Sequence, residues 1–355
     1  MTDALTPFFD GHNDILYWLG EKGDADGGVR RFLNGDDDSH LDLPRARAAG
    51  LKGGLFAVYI ESPHPDDDDV DSMEAAAYDM PLPPILELEY AQKRAVVMID
   101  LLHNIVAKSN GAVCVCRSAA DIRDSISNNV FAAVLHFEGA EPIDRDLKML
   151  ETYYEKGLRS LGPVWSRPTL FAHGVPFRFP GHPDTGEGLT DAGVALIKAC
   201  NEMKIAIDLS HLNEKGFWDV ARISKAPLIA SHSNPHVLCR HSRNLTDRQL
   251  DAIKESGGLV GVNFITCFLR EDGRLLEAKI EDIIRHADYL IDRLGVDGVG
   301  LGSDFGSAIV PSDLKNVSGL PRLAAAFTRA GYDEITLRKI CCDNWINVLE
   351  RTWGH

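Results

Sequence analysis

The sequence predicts an α/β fold, a closed (β/α)8 barrel, and three observations lead there. Short apolar runs recur along the chain, eight of them in all. Each run is followed by polar or glycine residues and then by a stretch of helical character. Histidines and carboxylates stand where several of the runs end. Strands alternating with helices indicate parallel βα units, and eight such units suggest closure into a barrel. An open doubly wound sheet is the alternative, but no G-x-G-x-x-G follows the first run.

The runs are PFFDGH (7–12), GGLFAVYI (53–60), VFAAVLHFEG (130–139), LRSLGPVW (158–165), KIAIDLSH (204–211), APLIASHS (226–233), GLVGVNF (258–264) and GVGLGSDF (298–305). Helical patterns fill 86–109, 191–203, 246–257 and 280–295. The second carries Val194, Ile197 and Ala199 at helical spacing, and Thr190 and Thr246 stand as N-caps before Asp191 and Asp247. Two segments interrupt the rhythm. Residues 20–50, with many Gly and Asp, and 61–85, rich in Pro and Asp, read as long loops. Both follow strands, so in a barrel they overhang the C-terminal face, where active sites lie. The run Asp66–Asp69 reads as solvated loop, since neither a Gly turn nor a closing Glu makes it an EF-hand. Without repeats or a linker, residues 1–355 read as one domain.

Composition removes several classes of function. Of 355 residues, 53 are acidic and 37 basic, for a net charge of −16. Such a chain repels phosphate backbones, so nucleic acid is not expected as a partner. No apolar run approaches the ~20 residues of a membrane span. MTDALTPFFDGHND has no basic region followed by an apolar stretch, which reads as a protein of the cytoplasm without a signal peptide. The seven cysteines are odd in number and form no C-x-x-C pair. They read as buried reduced thiols rather than metal ligands.

The chemistry gathers at the run ends. His12 and Asp14 close the first run, Glu138 the third, His211 the fifth, His232 the sixth and Asp304 the eighth. Residues two apart on a strand share a side, so His12 and Asp14 can converge on one object. Imidazole and carboxylate donors suit zinc, and two ions can share a bridging carboxylate and a hydroxide. Glu138, on a middle strand, is the natural bridge. His12 and Asp14 then hold one ion, His211 and His232 the other. Asp304 is either a ligand or a general acid/base. His136 shares a strand face with Glu138 and reads as a hydrogen-bonded core residue.

The stretches DGHND, EGAE, DLSH, SHSN, SRNLTD and GSDF, with CDNWINVLE at 342–350, resemble the membrane (renal) dipeptidase family of zinc metallopeptidases, barrels of the amidohydrolase type. The resemblance spans nearly the whole chain. It implies two zinc ions, the first on His12 and Asp14, the second on His211 and His232, with Glu138 between them. It implies proton transfer by Asp304 and a grip on the substrate's carboxylate by Arg243. The reaction so implied is hydrolysis of free-carboxylate dipeptides, L-L and also L-D, by a metal-bridging hydroxide. Family members are often dimers, so a homodimer is an expectation too. One position departs. Where the family has a substrate-contacting histidine near the end of the fourth strand, this chain has Trp165, which then forms a wall of the pocket; His173, eight residues on, is the other candidate for that role. His241, close to Arg243, keeps a structural reading, with contact to substrate as the alternative. The rival readings are a related barrel hydrolase acting on another amide or lactam, and a metal-dependent binding protein. Retention of Asp304 argues against the second, because binding needs no proton shuttle.

Overall fold

The computed structural model describes residues 5–21, 25–63, 71–306 and 308–354; the Asp66–Asp69 run lies outside them. Its strands are β1 (Phe8–Asn13), β2 (Leu51–Tyr59), β3 (Tyr78–Asp79), β4 (Val113–Val115), β5 (Phe131–Glu138), β6 (Leu158–Gly162), β7 (Arg178–Phe179), β8 (Ala206–Ile207), β9 (Ile229–Ala230), β10 (Leu259–Asn263) and β11 (Val299–Gly302). β1, β2, β5, β6 and β8 pair in that order, as do β9, β10 and β11, and all these pairings are parallel. Single bridges join the two sets, Asp208 to Ile229 at one seam and Asn13 to Phe305 at the other. The result is a closed (β/α)8 barrel.

Each of the eight sequence runs supplies one barrel strand. β4 was not anticipated. It pairs with Phe131–Ala133 on the edge of β5 that β6 occupies from Leu135 onward. The four helical patterns appear as Leu88–Lys108, Asp191–Met203, Asp247–Glu255 and Ile280–Leu294. Thr190 caps its helix by accepting from the Gly193 N–H, and Thr246 forms a capping box with Gln249.

Residues 20–50 depart from the expected loop: they hold the helices Ala25–Asn34 and Leu43–Ala48. Glycine hides the first from a propensity reading. Yet Gly28 eases a tight spot, because a Cβ would stand 3.1 Å from Leu19 O and 3.2 Å from Leu101 Cδ1, where three helices press together. Asp42 starts the second, accepting from the Arg45 N–H. In 61–85 the described part is mostly irregular, and β3 pairs antiparallel with β7 from the connection after β6. Both connections leave C-terminal strand ends, so the pair lies over the mouth.

Period-two alternation splits the apolar core into two layers. Inside the barrel, Phe9, Leu55, Ala132, Val134, Ala206, Ile229 and Leu259 pack with Trp345 and neighbours from the Asn344–Trp353 helix. Outside, Phe8, Phe56, Val58, Phe131, Leu135 and Phe137 face the surrounding helices. All seven cysteines are free, six of them buried and Cys114 partly so. Among the described residues no helix is long and apolar enough to cross a membrane.

Candidate active site

β5 places its site residue by alternation alone. Ala132 and Val134 point into the barrel; two and four residues on, so do His136 and Glu138. β1 needs a correction in its register. With Phe9 inside, strict alternation turns Gly11 and Asn13 inward and His12 outward. The pairing with β2 steps from Asp10–Gly54 to Asn13–Phe56, so β1 carries one extra residue there. This bulge turns His12 and Asp14 into the mouth. His211 and Asp304 lie beyond their short strands with left-handed backbones, φ 67° and 62°. That conformation is uncommon for residues with a Cβ and gathers where structure serves function.

The structure brings the five residues expected as ligands together. Glu138 stands between them, one oxygen to each side. Oε2 lies 3.6 Å from His12 Nε2, which is 3.4 Å from Asp14 Oδ1. Oε1 lies 2.9 Å from His211 Nε2 and 3.3 Å from His232 Nε2. Both sets, His12–Asp14–Glu138 and Glu138–His211–His232, keep their donor atoms within 4.8 Å of one another. A third grouping, His12–Asp208–His232, differs in that Asp208 is committed elsewhere. It accepts from the Ser231 hydroxyl at 2.5 Å and from the Ser231 and Ser210 N–H groups.

The donor atoms fit cations. The Ser231 hydroxyl, having given its proton to Asp208, accepts from His232 Nδ1 at 2.7 Å. His232 Nε2 is therefore a bare lone pair, aimed at a carboxylate oxygen and at His211 Nε2 3.0 Å away. His211 Nδ1 meets Ser166 Oγ at 2.9 Å. Neither nitrogen of His12 nor Asp14 Oδ1 has a hydrogen-bond partner, although all are buried. Buried donors of one sign without partners are unfavourable unless positive charge sits among them. The titration behaviour agrees. Burial works against a proton on His12, but Glu138 and Asp14 outweigh it and lift its pKa well above the usual value. Burial, aided by Arg243, pushes His211 down to about 4.

Asp304 and Arg243 complete the set. Burial and then the nearby Asp14 push the Asp304 carboxyl up to about 8. Asn263 Nδ2 donates to its Oδ2 at 2.8 Å, while Oδ1 stands 3.9 Å from His12 Nε2. Arg243 is buried and donates to Ser233 Oγ and His232 O, both at 2.8 Å. Its Nε has no hydrogen-bond partner, and among the described residues it forms no ion pair. Burial pushes its pKa down to about 10. A buried guanidinium without a counter-ion is unfavourable, and an incoming carboxylate would relieve it.

A cavity of about 330 Å³ opens over Asp14, Glu138, His211 and Asp304. Trp165 is on its wall, with ring centres 5.1 Å from Tyr59, 5.6 Å from Phe177 and 5.9 Å from His211. Met80–Pro83 from the 61–85 connection line it too. His173 is not brought to the wall; its carbonyl accepts from the Asn213 N–H. His241 and Arg243 lie behind the lining, His241 packed on Phe268 at 4.7 Å with Nε2 unpartnered. His136 is buried, bonded to Ser160 Oγ at 2.9 Å. The sequence reading missed Ser166, Asp208, Ser231 and Asn263, whose hydrogen bonds hold His211, His232 and Asp304 in place. For Asp208 and Ser231 a signal existed, since both sit inside DLSH and SHSN.

A family model described as membrane dipeptidase, peptidase family M19, matches residues 3–353. Among solved structures, a metallopeptidase from Rhodobacter sphaeroides, liganded with a phosphinate mimic of the dipeptide L-Ala-D-Ala, is 51% identical with a TM-score of 0.96. That match covers 99% of this chain and 100% of the other. The Klebsiella pneumoniae protein in the pqqA 5′ region is 48% identical over 256 residues, 72% of this chain and 94% of its own length. The dipeptidase tcpJ of Claviceps purpurea is 28% identical over 98% of this chain and 77% of its own length.

Proposed function

The chain belongs to the membrane dipeptidase family, peptidase family M19, a family of metal-dependent hydrolases, and from that premise we propose a two-zinc dipeptidase for free-carboxylate dipeptides, L-L and L-D. The observation that carries the reading is Glu138, whose two oxygens serve separate donor sets. His12 and Asp14 hold one ion, His211 and His232 the other. Mixed imidazole and carboxylate donors suit zinc. Bound there, the ions supply an activated water and electrostatic stabilisation of the carbonyl's developing charge.

The chain's own residues do the rest. Asp304 takes the proton released by the attacking water and hands it to the departing amine. Asn263 fixes one of its oxygens and leaves the other toward the ligand cluster. Arg243 receives the substrate's carboxylate. This supports a limit to dipeptides, because the anchor stands a fixed reach from the scissile bond. The phosphinate ligand of the Rhodobacter sphaeroides relative supports the L-D configuration.

Elemental analysis of protein purified without chelator should find about two zinc ions per chain. Turnover of Ala-D-Ala should exceed that of its C-terminal amide by roughly 2–4 kcal/mol in kcat/KM, the scale of an unpaired buried charge. One ion per fully loaded chain would overturn the dinuclear reading. Equal rates on acid and amide would redirect it to another amide or lactam.

A further inference from the structure

Most acids on the cavity wall are already accounted for. Asp14 and Glu138 belong to the proposed metal donor sets, and Asp304 handles the proton. Glu61, two residues beyond β2, is a fourth lining carboxylate and has no part in that chemistry. Its Oε1 is occupied from the side of the Leu88–Lys108 helix, by Arg94 Nε at 2.5 Å and by the Tyr90 hydroxyl at 3.1 Å. Its Oε2 is buried and has no hydrogen-bond partner. Arg94 does not neutralise it alone, since the same guanidinium also pairs with Glu21. Two carboxylates share one cation, which leaves a net negative charge at this wall.

The neighbours suit a cation as well. Tyr17 and Tyr59 line the cavity beside Glu61, their ring centres 5.3 Å apart, and Tyr59 continues to Trp165. Aromatic faces attract ammonium and guanidinium groups. A further cation, Arg167, stands 5.2 Å from the Trp165 ring but is 3.6 Å from Glu141 and bonded to Ile60 O and Ser62 Oγ. We propose that Glu61, with Tyr17 and Tyr59, is a subsite for a cationic nitrogen of the substrate. Two sources carry that chemistry: the N-terminal ammonium of any dipeptide, or the side chain of an N-terminal lysine or arginine. The inference rests on the dipeptidase reading and names a substrate class within it.

The test compares native and Glu61→Gln enzyme on Lys-Ala, norleucyl-Ala, Gly-Ala and the desamino analogue of norleucyl-Ala. If the side chain is bound, the native enzyme favours Lys-Ala over norleucyl-Ala by at least ~10-fold in kcat/KM, and Glu61→Gln removes that preference. If the ammonium is bound, Glu61→Gln lowers all three dipeptides by at least ~10-fold and leaves the desamino analogue less affected. Arg94→Met guards against a merely structural role, because it removes the ion pair while keeping the carboxylate, and the same discrimination should persist. The proposal is overturned if Glu61→Gln changes nothing, if it lowers all four substrates equally, or if Arg94→Met reproduces its effect. A native enzyme that cleaves Gly-Ala but treats lysyl and norleucyl substrates alike, with Glu61→Gln silent, sinks this subsite only. A native enzyme that cleaves no dipeptide sinks the parent reading and the subsite with it.

Discussion

At one end of the barrel the interior is filled with carbon, and at the other with nitrogen and oxygen atoms, several of which lack partners. β5 shows the change along a single inward face, from Ala132 and Val134 to His136 and Glu138. At the N-terminal end Trp345 fills space left by missing side chains. A Cβ on Gly11 would come within 2.1 Å of its ring, on Gly300 within 2.5 Å and on Gly261 within 2.9 Å. Its Nε1 donates to Leu301 O at 2.9 Å, so even its one polar atom is satisfied. At the C-terminal end His12, Asp14 and Arg243 keep buried atoms unpartnered, and His211 and Asp304 hold left-handed backbones. The contrast teaches a division of labour. The closed end supplies stability, and the open end tolerates local conflict because catalysis uses it.

The sharpest way to break this comparison is to hollow out the closed end. Trp345→Ala should lower stability by about 3–5 kcal/mol, the range for a buried Trp truncation. Urea denaturation measures it, and activity per folded molecule should stay near native. A loss below about 1 kcal/mol would mean that the plug is dispensable and the division false.

Substitutions at the mouth should show the opposite signature. Arg243→Met should reduce kcat/KM for free-carboxylate dipeptides by roughly 2–4 kcal/mol and scarcely affect amidated analogues. Stability should hold or rise, because a buried guanidinium without a counter-ion is removed. A drop in melting temperature, with equal losses on both substrate types, would make Arg243 a structural residue. Asp304→Asn should leave metal content nearly intact and lower kcat by at least ~10², the low end for a positioned proton carrier. Near-native turnover in the folded, metal-loaded variant would assign the proton to another group.

The two ends also differ in how plainly the sequence announces them. The strand runs and amphipathic helices are local patterns, and polar residues ending apolar runs mark the mouth because hydrophobic strands rarely carry them. The closed end is written in glycines and one tryptophan from distant segments, and small residues give no periodic signal. The β1 bulge is likewise a matter of pairing, since nothing in DGHND says that Asp10 and Asn13 will oppose residues only two apart on β2. His12 and Asp14 do share a face, as i and i+2 residues should, but the bulge decides that the face is the inner one. The helices within 20–50 were hidden for a related reason. Gly28 lowers local propensity and is justified only by Leu19 and Leu101 against it.

The smallest expected effect sharpens the comparison most, because Trp165 is an aromatic residue like Trp345 placed at the other end. Trp345 is fully enclosed, whereas Trp165 is half-buried and stands on the cavity wall between Tyr59 and Phe177. If the division of labour holds, truncating it should affect substrate rather than fold. No ring nitrogen of a histidine is available at this position, so polarising the substrate carbonyl falls to other groups, and Trp165 offers mainly apolar contact. Trp165→Ala should then lower kcat/KM by about 1–3 kcal/mol more for Leu-Leu-type than for Gly-Gly-type dipeptides, the scale of a lost apolar contact. Its melting temperature should fall far less than that of Trp345→Ala. A loss that is uniform across substrates, or a destabilisation matching the plug's, would place Trp165 with the packing residues and erase the distinction between the two tryptophans.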